Sequence, residues 1–600
     1  MRGYLAYLTT VLFTLSACSD AGTSTDTGSI SLGLRDSISG WFYVKIYEKA
    51  PTKENMSPNV VFETGCIDAK SQTYELNNIP AGDDFVVEIS SFGSAECSEE
   101  SQVEVGYRGR VDIPDGKTAP YYHVPLFEVG ASTAFPEDIN ISASVAEPID
   151  FCDSDDQCAE FSENHVCFDG QSPSYWCVPA CSENADCGEF HPQATCDTAT
   201  NWCVLRSPYP LNLASPRALG HATTLVDGSV AFVGGFGSKR ESRMVAAEQA
   251  VEVFDVKTGL FEKRTLEGLD DWVAGMSGAT KLPDGRMVVV GGVRTAQIGY
   301  ADGPGGKLRL TFNDLAEKDC SSDPCLPNIR KEIVVMNLEE GTAVVSDLPI
   351  PLAAPTVLAL GNGKVLVAGG YAPSFGGLGG DGGGGNEVTD RAWLVEVDPA
   401  GQISLSELGT MTVPRVGAAA MCQTNSCDNV LIVGGNQEGS VAEVMTASDD
   451  EVVFVPVSIE GLPPKLHNPI LCESTLVAGS GAKPVQLVAE EGNWTAVALE
   501  NSDFDLPQLP ATATSASGDC WVVGGLTGSD VSGQTFWTTG EAVAPNTYEM
   551  KRARFGAMAA PIASGLLDGG LIFGGGLTLA PGDENTGDLV LVRGAEIILP

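Results

Sequence analysis

The chain has 600 residues and carries 34 Lys and Arg against 79 Asp and Glu, a formal net charge of −45. Binding to nucleic acid or to anionic lipid headgroups needs clustered cations, so both are excluded as main partners. The length allows three or more domains. Of the 17 cysteines, an even number remains once Cys18 is set aside, which suits an oxidising compartment.

The N-terminus runs from Met1-Arg2-Gly3-Tyr4 through a short apolar stretch to Leu15-Ser16-Ala17-Cys18. That stretch is too short to span a bilayer and has the layout of a secretory signal in residues 1–17. Leu-Ser-Ala-Cys resembles the bacterial lipobox. The resemblance implies cleavage before Cys18 and lipid attachment to its sulfur and amine. Ser19, not Asp, follows the cysteine, which resembles outer-membrane sorting in diderm bacteria. Several acyl chains on one residue make a stable anchor. The expected location is therefore the outer membrane of a bacterial envelope, on either side, with the lipid as the sole membrane contact and the protein a monomer. Residues 18–28 are the lipidated cysteine and a polar tether.

Residues 29–130 carry apolar, strand-like runs at 29–34, 41–47, 60–63, 85–89, 103–107 and 121–127, with turn clusters between them. Regular short strands predict a β-sandwich. The stretch Leu76-Asn77-Asn78-Ile79-Pro80-Ala81-Gly82 before Phe85 resembles small Ig-like or prealbumin-like modules of surface proteins. Cys66 and Cys97 are the only cysteines here and are expected to pair. The expected role is a spacer.

Residues 131–150 read as a linker. Residues 151–205 are a cysteine-dense double repeat: Cys152, Cys158, Cys167 and Cys177, then Cys181, Cys187, Cys196 and Cys203. Too few apolar residues lie here to form a core, so disulfides must hold the segment, with three connectivities open per repeat. From residue 118 to 205 there is no Lys or Arg but fifteen Asp or Glu. The place considered for Ca²⁺ is Asp153-Ser154-Asp155-Asp156. EF-hand spacing is absent, so a solvated acidic face is the plain reading. No other metal or cofactor is expected.

Residues 206–600 repeat one stretch seven times: two apolar strands joined by a polar or glycine turn and closed by a glycine pair. The turns are Asp227-Gly228, Asp284-Gly285 and Asn362-Gly363, strong hairpin signals. The pairs are Gly234-Gly235, Gly291-Gly292, Gly369-Gly370, Gly434-Gly435, Gly524-Gly525 and Gly574-Gly575. In the fifth copy Ser480 replaces the second glycine. The second strand is almost wholly apolar, as in Met287-Val288-Val289-Val290, which predicts burial on both faces. A second hairpin follows most copies, as at Val251-Glu252-Val253-Phe254-Asp255 before Leu260-Phe261, at 392–398, at 485–489 and at 589–592. Four strands per unit, repeated radially, predict an all-β chain ending in a β-propeller.

Arg217 and His221 near a first strand, the glycine pairs and the Val-Glu-Val-Phe-Asp strand together resemble the kelch-repeat family, whose period is about 50 residues. The resemblance implies a seven-bladed propeller, with six as the alternative. The arginine recurs at 415 and 554. Trp494 is the clear fourth-strand tryptophan.

Six cysteines fall here: Cys320 with Cys325 and Cys422 with Cys427 as local staples, and Cys472 with Cys520 as a bridge between adjacent blades. The loops after the first three glycine pairs, 236–250, 293–330 and 371–390, are long and emerge on one face. They are the expected binding surface, with Phe236, Tyr300, Tyr371 and Phe375 as contact residues.

Galactose oxidase-like copper enzymes also use kelch propellers. Against that resemblance, the repeat region has only His221 and His467, both at first-strand positions where kelch repeats carry a structural histidine. No Ser-His-Asp arrangement, HExxH motif or sialidase Asp-box is present. The expected function is non-catalytic binding of an envelope protein or a glycan. The alternative is a carbohydrate-active enzyme, a glycosidase or copper oxidase-like, on the same scaffold.

Overall fold

The computed structural model describes most of residues 27–134 and 213–599, with short strands between 165 and 204. The larger segments outside the described residues are 1–26, 116–123, 135–164, 169–175, 183–194, 205–212, 301–307, 312–327, 374–385 and 580–588. The described secondary structure is β-strand, apart from single 3-10 turns at Glu99–Ser101 and Gly565–Leu567. The chain is all-β and built from several sheets.

In the N-terminal part, Thr27–Gly33 pairs with Thr73–Pro80 as a two-stranded sheet. A larger sheet has the order Val60–Glu63, Trp41–Tyr47, Gly82–Phe92, Gln102–Ile113, Phe127–Glu128, with Ile67–Asp68 also on Trp41–Tyr47. Strand alternation decides where its side chains go. Phe42, Val44, Ile46, Val87 and Ile89 join Ile30, Leu76 and Ile79 of the small sheet in one core. Tyr47, Val86, Val105 and Tyr107 enter a second core, which includes Phe232, Phe254 and Ile572 from far along the chain. Both faces of the larger sheet are therefore covered. Cys66 and Cys97 are disulfide-bonded, with Cα atoms 6.0 Å apart.

Among the described residues, seven further sheets of one repeating pattern follow in chain order, apart from the smaller hairpins and the cap sheet described below. The first has the order His221–Thr224, Val230–Val233, Val251–Asp255, Leu260–Arg264, and the other sheets repeat this pattern. In the fifth, Ile459–Glu460 adds in parallel to the outer strand Asn493–Ala498. The apolar second strands are buried throughout in the first, second and seventh sheets, as their composition predicts. Alternate residues enter different cores. Ala231 and Val233 meet Met287 and Val289 of the second sheet, whose Val288 and Val290 meet Val365 and Val367 of the third. The pattern continues through the third and fourth sheets, the fourth and fifth, the fifth and sixth and the sixth and seventh. Ile572 of the seventh sheet shares a core with Val230 and Phe232 of the first.

The seventh sheet corrects three expectations. Its positive-φ glycines are Gly575 (70°) and Gly576 (100°), not Gly574-Gly575; Gly574 ends the strand Leu571–Gly574. Three successive glycines left that register open in the sequence. Its third strand is Ala595–Ile598, not 589–592, because Leu589–Leu591 pairs with Leu577–Leu579 instead. Its outermost strand is Ser132–Ala134, which pairs with Glu596, Ile597 and Ile598. The linker expected at 131–150 is thus a strand at its start; 135–150 lie outside the described residues.

Candidate functional site

The glycine pairs mark one end of six of the seven sheets; Gly479 and Ser480 of the fifth copy lie outside the described residues. Both members take positive φ, as at Gly369 (65°) and Gly370 (107°). The second glycine donates its N–H to a carbonyl leading into the next sheet: Gly235 to Ala274 at 2.8 Å, Gly370 to Arg415 at 2.7 Å, Gly525 to Arg554 at 2.8 Å. Gly576 donates to Arg217, so the seventh sheet bonds back to the first. The first glycine allows this approach. A Cβ on Gly434 would stand 2.6 Å from the Leu466 carbonyl oxygen, inside van der Waals contact.

Two residues after those accepting positions, Leu219, Met276, Ala354, Gly417, Asn468, Leu509 and Gly556 all have φ between 45° and 61°. A non-glycine residue there costs about 1–2 kcal/mol. A chain of bonds holds the strain: Met276 N–H to Leu219 O (3.0 Å), Ala354 to Met276 (2.8 Å), Gly417 to Ala354 (3.1 Å), Gly556 to Leu509 (2.7 Å) and Leu219 to Gly556 (2.8 Å).

The three repeated arginines sit just below. Arg217, Arg415 and Arg554 are buried against Glu252, Glu443 and Glu596. Arg217 Nε is 2.8 Å from Glu252 Oε1, and its Nη1 donates to Gly234 O at 2.9 Å. Arg415 Nη1 donates to Gly434 O at 2.7 Å, while Glu443 Oε2 accepts from Thr412 N and Oγ1 at 2.8 and 3.0 Å. Every buried charge is met, which burial requires. These groups join chain segments and leave no charge available for a ligand. The sequence reading found the arginines and missed their glutamates. The signal was there: each Glu is the second residue of an apolar third strand.

Above this end lies a cap. The loops at 236–250 and 293–330 contribute a four-stranded sheet in the order Phe236–Arg240, Arg243–Ala246, Thr295–Tyr300, Leu308–Thr311. Hairpins Tyr371–Pro373 with Asn386–Val388 and Leu577–Leu579 with Leu589–Leu591 stand with it. The cap residues Phe236, Met244, Val293, Ala296, Ile329, Leu577 and Leu589 share one apolar core with Ala218, Ala353 and Phe555 of the segments beneath them.

Phe236 is wholly buried in that core, so its expected role as a surface contact is corrected. It alternates inward with the other apolar residues of the cap. Tyr371 is half-buried against the same core, and its backbone pairs with Ala353. Tyr300 ends a cap strand; its side chain, like the whole of Phe375, lies outside the described residues.

His221 stands on the first strand of its sheet. Its Nε2 is 3.0 Å from both the carbonyl and the hydroxyl oxygen of Ser277. Burial lowers its pKa to about 4, so at neutral pH the ring is neutral and Nε2–H donates to the carbonyl. His467 is exposed and lies three residues before the strand Ile470–Cys472 of the fifth sheet, not on a first strand. Among the described residues, no three His, Cys, Asp or Glu side chains gather as a metal site.

Cys422–Cys427 and Cys472–Cys520 are bonded, with Cα separations of 4.8 and 5.8 Å. The second joins the fifth sheet to the sixth. Register sets Cys167 opposite Cys177 and Cys196 opposite Cys203 in two hairpins, and Cys181 is disulfide-bonded. Cys18, Cys152, Cys158, Cys187, Cys320, Cys325 and the Asp153–Asp156 stretch (153–156) lie outside the described residues. No helix among the described residues is long and apolar enough to cross a membrane.

No protein-family model and no curated protein matches the chain. Among solved structures it is similar to a novel fungal alcohol oxidase of the AA5 family in complex with copper. The identity is 12%, the TM-score 0.32, and the match covers 65% of this chain and 74% of that one. A likeness at that level carries no argument about chemistry.

Proposed function

We propose that the chain is an envelope-anchored lipoprotein in which a seven-bladed, kelch-like β-propeller presents a capped end to a protein or glycan partner, without catalysis. Cys18 carries the lipid, and an Ig-like or prealbumin-like sandwich joins the anchor to the propeller. Seven sheets with a core between each successive pair support the propeller, as does the bond from Gly576 back to Arg217. A circular arrangement removes free sheet faces in this way.

The observation that carries the binding reading is the cap core. Loops from several sheets bury apolar side chains against one another, which orders a surface over a rigid frame. Insertions that were merely tolerated would have no reason to share a core.

The test is a pull-down from envelope extract with residues 19–600. A second version replaces 312–327 and 374–385 by short Gly-Ser linkers, leaving Phe236, Val293 and Ile329 in place. A partner captured by the intact protein alone is the expected result. Equal capture by both versions moves the binding surface off the cap. No capture, together with turnover of an oligosaccharide, replaces binding with catalysis.

A further inference from the structure

Each of the seven sheets ends in an outer strand, whose free edge is a row of backbone groups able to pair with another chain. Among the described residues, six of these edges are covered, short or interrupted. The first meets Gly109 and Arg110 of the N-terminal part. On the second and sixth, Ala343 and Val543 donate their N–H groups to the carbonyls of Glu267 and Glu500. Ile459–Glu460 lies along the fifth, and the seventh is only the three residues Ser132–Ala134. The third, Ile403–Thr410, carries a register shift and exposes Ser404, Ser406 and Glu407. The fourth, Glu451–Val457, has none of these protections. After Glu451 it runs Val-Val-Phe-Val-Pro-Val without a charge, and Val453 and Val455 are 42% and 49% exposed.

The ladder decides which backbone groups face outward. In an antiparallel pair, residues bonded across the ladder alternate with residues whose N–H and C=O point away from it. Gly434 donates to Val441 O and Ala447 to Asp428 O, so residues 441, 443, 445 and 447 bond toward the second strand. Opposite 443, 445 and 447 on the outer strand stand Pro456, Phe454 and Val452. The N–H groups of Val452 and Phe454, and the carbonyls of Val452, Phe454 and Pro456, therefore point away from the sheet. No partner meets them among the described residues. Pro456 fits that direction, since its missing N–H costs no ladder bond there.

We propose that this edge takes up an extended segment of another protein as a fifth strand, a segment in which apolar residues alternate with basic ones. Main-chain bonds to Val452, Phe454 and Pro456 hold it, and its apolar residues cover Val453 and Val455. The chain already uses this geometry on itself, where Ile459–Glu460 extends the fifth sheet. Charge selects the occupant. Between Arg415 and Lys465 the sequence has no Lys or Arg but seven Asp or Glu. A second copy would bring the same acids and a net charge of −45 against this edge, whereas a basic segment is attracted. The edge is separate from the capped end and does not rest on the reading of that end.

The test adds a capped eight-residue peptide of alternating valine and lysine to residues 19–600 and follows amide hydrogen exchange. The amides of Val452 and Phe454 are expected to exchange fast in the free protein and to gain about tenfold protection or more at saturating peptide. Binding by charge alone would protect neither. Two further peptides are N-methylated, one at every valine and one at every lysine. A strand pairs through alternate residues, so one of the two is expected to bind at least about tenfold more weakly than the parent. Val453→Lys with Val455→Lys is expected to weaken the parent peptide by about tenfold or more, with thermal unfolding unchanged. No protection of the two amides, binding of both methylated peptides as tight as the parent, or full binding by the double variant overturns the proposal. A valine–glutamate peptide bound as tightly overturns the basic partner. Protection that rises with protein concentration alone assigns the edge to a second copy and overturns the proposal as well. Should the double variant lose its fold, the methylated peptides decide the matter on the unaltered protein.

Discussion

Arg415 and Glu443 are both fully buried and hydrogen-bonded to one another and to backbone. Removing one partner leaves an uncompensated charge in a dry site. Arg415→Ala is predicted to cost about 3–5 kcal/mol, read as a lowered urea midpoint at constant slope. Arg415→Leu combined with Glu443→Leu is predicted to recover most of the loss, because the apolar pair needs no desolvation. The natural chain already makes that exchange. Ala274 and Leu352 take the position of Arg415, as the acceptors from Gly235 and Gly292, and Val334 and Trp393 take that of Glu443. A double variant no better than Arg415→Ala would defeat the argument. His221 makes a pH-dependent prediction. Its pKa is lowered from 6.5 to about 4 by burial, so the unfolded chain takes up its proton first as pH falls. The stability it contributes is complete above pH 6.5 and is lost between 6.5 and 4, by roughly 2–3 kcal/mol. Relative to His221→Gln, the native chain should lose that much more stability from pH 7 to pH 4. Parallel pH profiles would refute it.

At the scale of elements, some strands announce themselves and others do not. The run Met287–Val290 reads as a doubly covered strand because four apolar residues have no polar face to turn outward, and it is buried throughout. The glycine pairs are legible for a similar reason: only glycine combines positive φ with a carbonyl in contact. Ser132–Ala134 carries no such mark. It is three small residues of ordinary composition, and its strand state comes from Glu596–Ile598, more than 460 residues further along the chain. The cap was legible as long loops but not as a sheet, since its pairing joins two different repeats. Phe236 was misplaced for that reason. This non-local strand predicts how the chain can be cut. A protein starting at residue 206 lacks the outer strand of the seventh sheet and leaves the Ala595–Ile598 edge unpaired. Unpaired edges recruit other chains, so it should elute as aggregates in size exclusion. A start at residue 27 should elute as a single monomeric species. A monomeric, cooperatively melting 206–600 would show that the added strand is dispensable.

At the scale of the whole molecule, the question is whether the N-terminal sheets are a detachable spacer or part of the frame. Three contacts argue for the frame. Tyr107 Oη donates to Val256 O at 2.6 Å, and Gly109 N–H donates to Thr258 O at 2.8 Å. Arg110 also pairs with Glu262. The burial around Tyr107 raises its pKa well above the usual tyrosine range, which favours the protonated phenol that donates this bond. Tyr47, Val86 and Phe127 share one core with the first and seventh sheets. Gly109 is the place to separate the two. A Cβ there would stand 2.6 Å from the Thr258 Cα, and backbone cannot step aside as a flexible side chain can. Gly109→Val should therefore push the sheets apart without touching either interior. The prediction is that backbone amides in Val251–Asp255 and Leu260–Arg264 lose hydrogen-exchange protection, along with those of the facing strand Gln102–Ile113. Amides of Asn429–Val433 in the fourth sheet, which share no core with the N-terminal sheets, should exchange as before. A freestanding spacer predicts something else: protection in the first sheet that does not respond to the substitution.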